Sequence, residues 1–137
     1  MLNRIFVDTL FVIALVNRRD QYHQQAIEAS KQCEGSPFLI TDVVLLEIGN
    51  ALARRYRKEA VEILEEFLHA DDVDIVHLTP SLFDKAFDLY KQHQDKEWGL
   101  IDCVSFVVMR EQSITHALTF DRHFAQAGFH VLMREIA

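Results

Sequence analysis

The sequence predicts a three-layer α/β/α domain with a mainly parallel central sheet. Short apolar runs alternate with longer amphipathic segments, an alternation typical of α/β proteins with parallel sheets. The 137 residues include only 4 Gly and 2 Pro, so no Gly- or Pro-rich linker divides the chain. Half of the residues are hydrophobic, which is enough to form a core. We therefore expect a single domain over residues 1–137.

The first half of the chain begins with a strand that leads directly into a helix. The strand is IFVD (5–8), and the helix extends from Thr9 to Val16. An amphipathic helix over 21–34 is ended by Gly35 and Pro37. The next predicted elements are a strand at 38–40, a helix from a cap at Thr41 or Asp42 to about Arg57, and a charged helix at 58–70.

The second half continues the same alternation. DIVHL (74–78) predicts a strand, and Thr79 as N-cap with Pro80 at the first helical position begins the helix that follows. A polar loop with Trp98 precedes a helix at 100–112. The remaining predicted elements are the strand THALTF (115–120), a short helix from Asp121 to Ala127, and a last strand HVLM (130–133).

The apolar N-terminal segment lacks the pattern of a signal peptide or a membrane span. Asp8 interrupts it, no A-x-A-like cleavage site follows, and it is shorter than the about 20 residues that cross a bilayer. Cys33 and Cys103 form no CxxC pair, which favours reduced thiols over a disulfide framework or a zinc site. We expect a cytoplasmic protein without membrane association.

Three carboxylates stand in otherwise apolar runs. Asp8 interrupts RIFVDTLFVIALV, Glu47 interrupts VVLLEIGNAL, and Asp102 interrupts GLIDCVSFVVM. A lone ionised carboxylate in such surroundings costs several kcal/mol unless it is paired, and no Lys or Arg lies beside Glu47 or Asp102. A shared divalent cation with a preference for oxygen ligands, Mg²⁺ or Mn²⁺, would pair them all.

A fourth acid, Asp121, directly follows a predicted strand, as Asp8 does. Ligands of open parallel sheets bind at the carboxyl ends of the strands, so these acids are expected to converge there. Each acid also has a purely structural explanation. Asp8, Asp102 and Asp121 could cap helices, and Glu47 could lie on a solvated stripe of its helix.

The order VDT, E, D and TFDRHF (positions 7–9, 47, 102 and 119–124) resembles the PIN-domain ribonucleases, particularly VapC-type toxins of toxin–antitoxin pairs. The resemblance covers essentially the whole chain, and its most specific part is the tail ALTFDRHFAQAGFHVL. It implies a metal-binding catalytic quartet and two hydroxyls that orient carboxylates or water. The quartet is Asp8, Glu47, Asp102 and Asp121, and the hydroxyls belong to Thr9 and Thr119.

The same resemblance implies partners. They are an RNA substrate, a second copy of the chain in a homodimer, and a cognate antitoxin with a basic residue that could enter the acidic site. The formal net charge of −7 agrees with a cationic partner and argues against a surface coated in basic residues for non-specific nucleic-acid binding.

A few polar residues have two explanations each. The run that we place at the end of the third helix, RRYRK (54–58), would either complement the helix dipole or guide an RNA backbone. Arg122, beside Asp121, is the better candidate for a substrate contact. Ser105, one turn from Asp102, would face the site or the core. The Phe-rich stretch SLFDKAFDLY predicts core or a dimer surface rather than a base-stacking platform.

The leading hypothesis is a Mg²⁺-dependent endoribonuclease, the toxin of a toxin–antitoxin pair. A metal-dependent phosphatase is a second hypothesis, although the second Asp expected two residues after Asp8 is replaced by Leu10. A third is a catalytically inactive PIN-like module that binds RNA or protein. The presence of all four acids speaks against it.

Overall fold

The computed structural model describes residues 3–135, so both ends of the predicted domain lie outside the described range. Five strands are present in that range: Ile5–Val7 (β1), Phe38–Thr41 (β2), Val73–Val76 (β3), His116–Leu118 (β4) and His130–Val131 (β5). The helices are Thr9–Val16 (α1), His23–Gln32 (α2), Asp42–Ala51 (α3), Arg57–His69 (α4), Pro80–Gln92 (α5), Leu100–Glu111 (α6), Arg122–Gln126 (α7) and Leu132–Glu135 (α8).

The strands form one parallel sheet in the order β3-β2-β1-β4-β5. Helix α1 packs against both α2 and α3, α3 packs against α4, and α5 packs against α6. The predicted α/β class with a parallel sheet between helices is confirmed. The strand order reverses between β1 and β4, which is the place where open α/β sheets bind their ligands.

Aromatic packing fixes α6 and α7 against the sheet. The ring of Phe106 meets that of Phe124 edge-on at 5.0 Å, and Phe124 lies 6.1 Å from Phe6 of β1. Trp98, in the loop before α6, contacts Phe106 edge-on at 5.1 Å and donates a hydrogen bond of 3.0 Å to Gln126. These contacts hold the start of α6 beside α7 and β1.

Several predicted boundaries are wrong by two residues or more, and two of them have a tertiary cause. The third helix ends at Ala51 rather than near Arg57, because the next residue, Leu52, is buried and the chain then turns to place Tyr56 against Asn17. The last strand ends at Val131 rather than residue 133. The Met133 N–H bonds the Thr119 carbonyl, which turns this segment into the short helix α8.

The aromatic residues of α5 are exposed rather than in the core. Phe83, Phe87 and Tyr90 stack along one face of the helix, each more than 40% exposed. Cys33 and Cys103 are buried and form no disulfide. None of the helices within residues 3–135 is long and apolar enough to cross a membrane.

Candidate metal centre

The four predicted carboxylates line one cleft of about 230 Å³ at the carboxyl ends of β1 and β4. Val7 of β1 pairs with Leu118 of β4, so the residues that follow these strands lie side by side. The acids come from four places in the fold. Asp8 follows β1, Glu47 lies on α3, Asp102 is in the first turn of α6, and Asp121 precedes α7.

Asp8 is bound more by the segment after β4 than by its own helix. It is the N-cap residue of α1, yet its side chain makes no capping hydrogen bond. Capping is therefore not the explanation of this acid. Its Oδ2 instead accepts a 2.8 Å hydrogen bond from the hydroxyl of Thr119, which is fully buried. The same hydroxyl accepts the N–H of Asp121 at 3.1 Å, so Thr119 joins two of the acids.

The environment of Asp8 opposes its ionisation. The pKa of this carboxyl is raised from 3.8 to about 7, chiefly by burial and in smaller part by the neighbouring Asp102 and Asp121, against the lowering effect of the Thr119 hydrogen bond. Asp8 is only 6% exposed. Near neutral pH a cation in the cleft would stabilise the charged form.

Asp102 is held by two donors on one oxygen. Its Oδ2 accepts the Gly99 N–H at 3.1 Å and lies 3.1 Å from Nδ1 of His123. The first contact is a capping interaction at the start of α6, so the capping explanation is correct for this acid, but it occupies only Oδ2. Burial, reinforced by Asp121, raises the pKa of Asp102 despite the two hydrogen bonds.

The imidazole of His123 lies between two carboxylates. Its Nδ1 is 3.1 Å from Oδ2 of Asp102 and 3.5 Å from Oδ1 of Asp121, which also accepts the His123 N–H at 2.9 Å. Asp121 therefore caps α7 as well as lining the cleft. These three side chains offer ligand atoms within 4.8 Å of one another. The contact of His123 with the two carboxylates was not predicted from the sequence, although its place two residues after Asp121 was a signal.

Glu47 stands at the more open side of the cleft and is half-buried. Its Oε1 accepts a short hydrogen bond from the hydroxyl of Thr9. The adjacent Leu46 is 70% exposed, so this part of α3 has a solvent-facing side, as the structural explanation of Glu47 supposed. Unlike Asp102 and Asp121, Glu47 is not part of the close group around His123.

The donor set fits a divalent cation. Within residues 3–135, the side-chain hydrogen bonds to Glu47, Asp102 and Asp121 engage Oε1, Oδ2 and Oδ1 respectively, leaving the other oxygen of each carboxylate available. Carboxylate oxygens are the ligands that hard divalent ions such as Mg²⁺ and Mn²⁺ prefer. The pKa values of Asp8 and Asp102 are raised, so a bound cation would favour the charged forms of both carboxyls.

The two remaining predicted residues do not line the cleft. Ser105 is 1% exposed within the core face of α6, which favours the packing explanation. Arg122 is exposed at the start of α7, next to Asp121.

Comparison with known proteins agrees with this geometry. Residues 5–130 match the PIN domain family model. The 23S rRNA-specific endonuclease VapC20 of Mycobacterium tuberculosis, from strains CDC 1551 / Oshkosh and H37Rv, is 35% identical over 128 residues, covering 91% of this chain and 95% of the relative.

A solved structure extends the likeness to three dimensions. The crystal structure of M. tuberculosis VapC20, described as a sarcin-ricin loop cleaving toxin, matches with a TM-score of 0.81 and 31% sequence identity, covering 91% of this chain and 95% of that one. The predicted resemblance to VapC-type PIN ribonucleases is confirmed. The chain belongs to the PIN-domain family and is a homologue of the VapC20 toxin endonuclease.

Proposed function

We propose that this protein is a Mg²⁺-dependent endoribonuclease that hydrolyses RNA phosphodiesters and acts as the toxin of a toxin–antitoxin pair. The observation that carries the proposal is the convergence of four carboxylates, one of them buried with a pKa near 7, at the switch point of a PIN-type sheet. Mn²⁺ offers the same coordination chemistry and is expected to substitute.

In this proposal Asp8 and Asp102 are the primary metal ligands, and Glu47 and Asp121 complete the site directly or through water. The bound cation supplies charge neutralisation at the phosphate and a water of lowered pKa. The protein supplies orientation. Thr119 holds Asp8, Gly99 and His123 hold Asp102, and Thr9 holds Glu47.

The substrate and partners follow from the family. Because VapC20 is named for 23S rRNA, ribosomal RNA is the first substrate to test. The acidic cleft suits a basic side chain of an antitoxin, which would occupy the place of the cation. A homodimer and a cytoplasmic location are further parts of the proposal, and they rest on the family resemblance.

Cleavage of purified ribosomal RNA and of a mixed RNA pool tests the proposal. Wild type, Asp8→Asn and Asp102→Asn are compared with Mg²⁺ and with EDTA. We expect cleavage by wild type with Mg²⁺ alone. Equal cleavage by the Asn variants would show a contaminating nuclease and refute the assignment.

Two other results would favour the rival functions. Binding of intact RNA without cleavage in either metal would support an inactive module. Release of phosphate from small phosphoesters would support a phosphatase. For the latter, Leu10 lines the cleft where a second Asp would be needed.

A further inference from the structure

Cationic side chains from two distant segments meet beside the acidic cleft. All are exposed, and we call them the basic patch: Arg18, Arg19, Arg54, Arg55, Arg57 and Lys58. They account for 6 of the 14 Lys and Arg residues of a chain whose formal net charge is −7. Such a concentration of positive charge on an acidic protein points to a specific anionic partner.

A tertiary contact joins the two segments of the patch. The Tyr56 hydroxyl donates a 3.1 Å hydrogen bond to Oδ1 of Asn17, the residue that precedes Arg18. Arg18 and Tyr56 also line one shared surface depression. The connection between α3 and α4 is thereby held against the end of α1, so that the patch is one surface.

The patch begins where the acidic cleft ends. Ile13 of α1 and Ala51 of α3 line the cleft, and both helices end at that side, α1 at Val16 and α3 at Ala51 itself. Arg18 and Arg19 follow the end of α1 by two and three residues, and Arg54 and Arg55 follow the end of α3 by three and four. The helix α1 rises about 12 Å at ~1.5 Å per residue, so Arg18 is on the order of 15 Å from Asp8, a distance that a few nucleotides span.

The charges of the patch are not neutralised within the protein. Among the described residues, none of its members forms an ion pair with an acid. Arg57 donates to a neutral partner, the Ala53 carbonyl, at 3.3 Å. Arg4, outside the patch, differs in that it forms an ion pair with Asp74 at 3.1 Å. No ion pair among the described residues therefore fixes these cations, although Glu59 lines the same depression as Arg18.

The helix dipole does not explain all of these residues. We expected the RRYRK run at the end of the third helix, where cations are favoured, and that placement is wrong. Arg57 and Lys58 instead occupy the first turn of α4, the positive end of its dipole, where a cation is disfavoured. Arg54 and Arg55 lie in the connection after α3.

We propose that the basic patch binds the phosphate backbone of the RNA strand that flanks the bond held at the acidic cleft. This inference rests on the proposed function. A cleft lined by four carboxylates repels phosphate unless a cation occupies it, so most of the affinity for the strand must come from outside the cleft. The patch is one cationic surface near the cleft, in addition to Arg122 beside Asp121.

Binding of a fluorescein-labelled 20-nucleotide single-stranded RNA measures the effect. All proteins carry Asp102→Asn so that the RNA stays intact, and anisotropy is recorded at several salt concentrations with Mg²⁺. The test variants are Arg18→Gln/Arg19→Gln and Arg54→Gln/Arg55→Gln. The matched control, Lys31→Gln/Lys91→Gln, removes the same charge from exposed positions on α2 and α5.

We expect each arginine pair to weaken binding about 5- to 30-fold near 0.1 M salt, and the salt slope to fall by about 1.4 for two lost contacts at ~0.7 each. The lysine control should change affinity less than about twofold. Arg54→Lys/Arg55→Lys keeps the charge and should retain most of the affinity. Thermal melts identify any variant that has lost its fold, and in that case the other pair decides.

Equal affinity of the test and control variants would overturn the inference. It would also be overturned if RNA binding were unchanged while the patch variants lost affinity for poly-glutamate, which would assign the surface to an acidic protein. Cleavage separates this inference from the proposed function. If wild type cuts RNA in a metal-dependent way but binding does not depend on the patch, only the inference about the patch is refuted. If binding depends on the patch but no RNA is cut, only the proposed nuclease activity is refuted.

Discussion

The two sides of the acidic cleft use the same pairing of a threonine hydroxyl with a carboxylate, but in different surroundings. On the inner side, Thr119 donates to Asp8, and both side chains are buried at the carboxyl ends of adjacent strands. On the outer side, Thr9 donates to Glu47, which is half-buried on α3 beside an exposed Leu46. The inner pair is fixed by the sheet, whereas in the outer pair Thr9 is buried and only the carboxylate of Glu47 is accessible to water.

This contrast indicates a division of labour. The surroundings of Asp8 disfavour its charged form, which a bound cation would stabilise. The metal-free protein is therefore less stable when Asp8 is ionised. The outer carboxylate can adapt to the substrate without such a cost. Equivalent substitutions of the inner and the outer residues should therefore have unequal effects.

The largest expected difference is in catalysis. Asp8→Asn should lower RNA cleavage roughly 10³-fold or more, because it removes a primary ligand at a site that the fold cannot rearrange. Glu47→Gln should lower cleavage about 10- to 100-fold, since water can take over part of its role. Initial rates at saturating Mg²⁺ measure both effects. Equal losses in the two variants would show that the cleft acts as one uniform site.

The second largest expected difference between the two sides is in how the free energy of unfolding depends on pH. The folded-state pKa of Asp8, about 7, lies above the 3.8 of an exposed carboxyl, so the folded chain retains a proton that the unfolded chain has released. Stability from this group is present at low pH and lost as the pH rises through about 7. The free energy of unfolding without metal should fall by about 2–3 kcal/mol from this group between pH 5 and 8.

Urea denaturation in EDTA at each pH tests this expectation. Asp8→Asn should remove most of the pH dependence and should stabilise the metal-free protein at pH 8, while cleavage is lost. Glu47→Gln serves as the control and should leave the slope unchanged. Saturating Mg²⁺ should restore stability to wild type at pH 8. If the stability of wild type did not change with pH, Asp8 would already be ionised at pH 5. The proposed difference between the inner and outer sides of the cleft would then be wrong.

We expect His123 to orient Asp102 and thereby to strengthen metal binding. His123→Ala should weaken Mn²⁺ binding about 10- to 100-fold, as loss of a group that holds a metal ligand typically does. His123→Asn keeps a side-chain N–H that can reach Oδ2 of Asp102 and should stay within a few-fold of wild type. Calorimetric titration with Mn²⁺ measures both variants without a substrate. Losses of equal size would mean that the ring itself binds the cation.

These residues also show how far a sequence can be interpreted. Asp8, Glu47 and Asp102 were predictable because a carboxylate in an apolar run is anomalous by itself. Asp121 was less so, since it stands in a polar segment and needed the family resemblance. His123 was not predicted, because only the fold brings it beside Asp102 of α6 as well as its sequence neighbour Asp121.

The fold was predictable for a similar reason. The alternation of apolar strands and amphipathic helices is a local property, and it was sufficient for the class and the order of the elements. The ends of α3 and β5 were not, because each depends on a tertiary contact. The hydrogen bond from Tyr56 to Asn17 and the one from Met133 to Thr119 join segments that no local pattern relates.

The smallest expected difference concerns the two hydroxyls. Thr119→Val leaves an oxygen of buried Asp8 and the N–H of Asp121 without their partner, and should destabilise the protein by about 1–3 kcal/mol. Thr9→Val should cost less than about 1 kcal/mol, because water can reach the half-buried Glu47. Urea denaturation with saturating Mg²⁺ compares the two.

The pH profile of cleavage gives an independent check on the same pair. The Thr119 hydrogen bond lowers the pKa of Asp8, so its loss should raise that pKa further and shift the acid limb of activity towards higher pH. Thr9→Val should leave the acid limb in place. If both variants shifted the profile equally, the acid limb would not report on Asp8 alone. The inner and outer sides of the cleft would then differ in exposure alone.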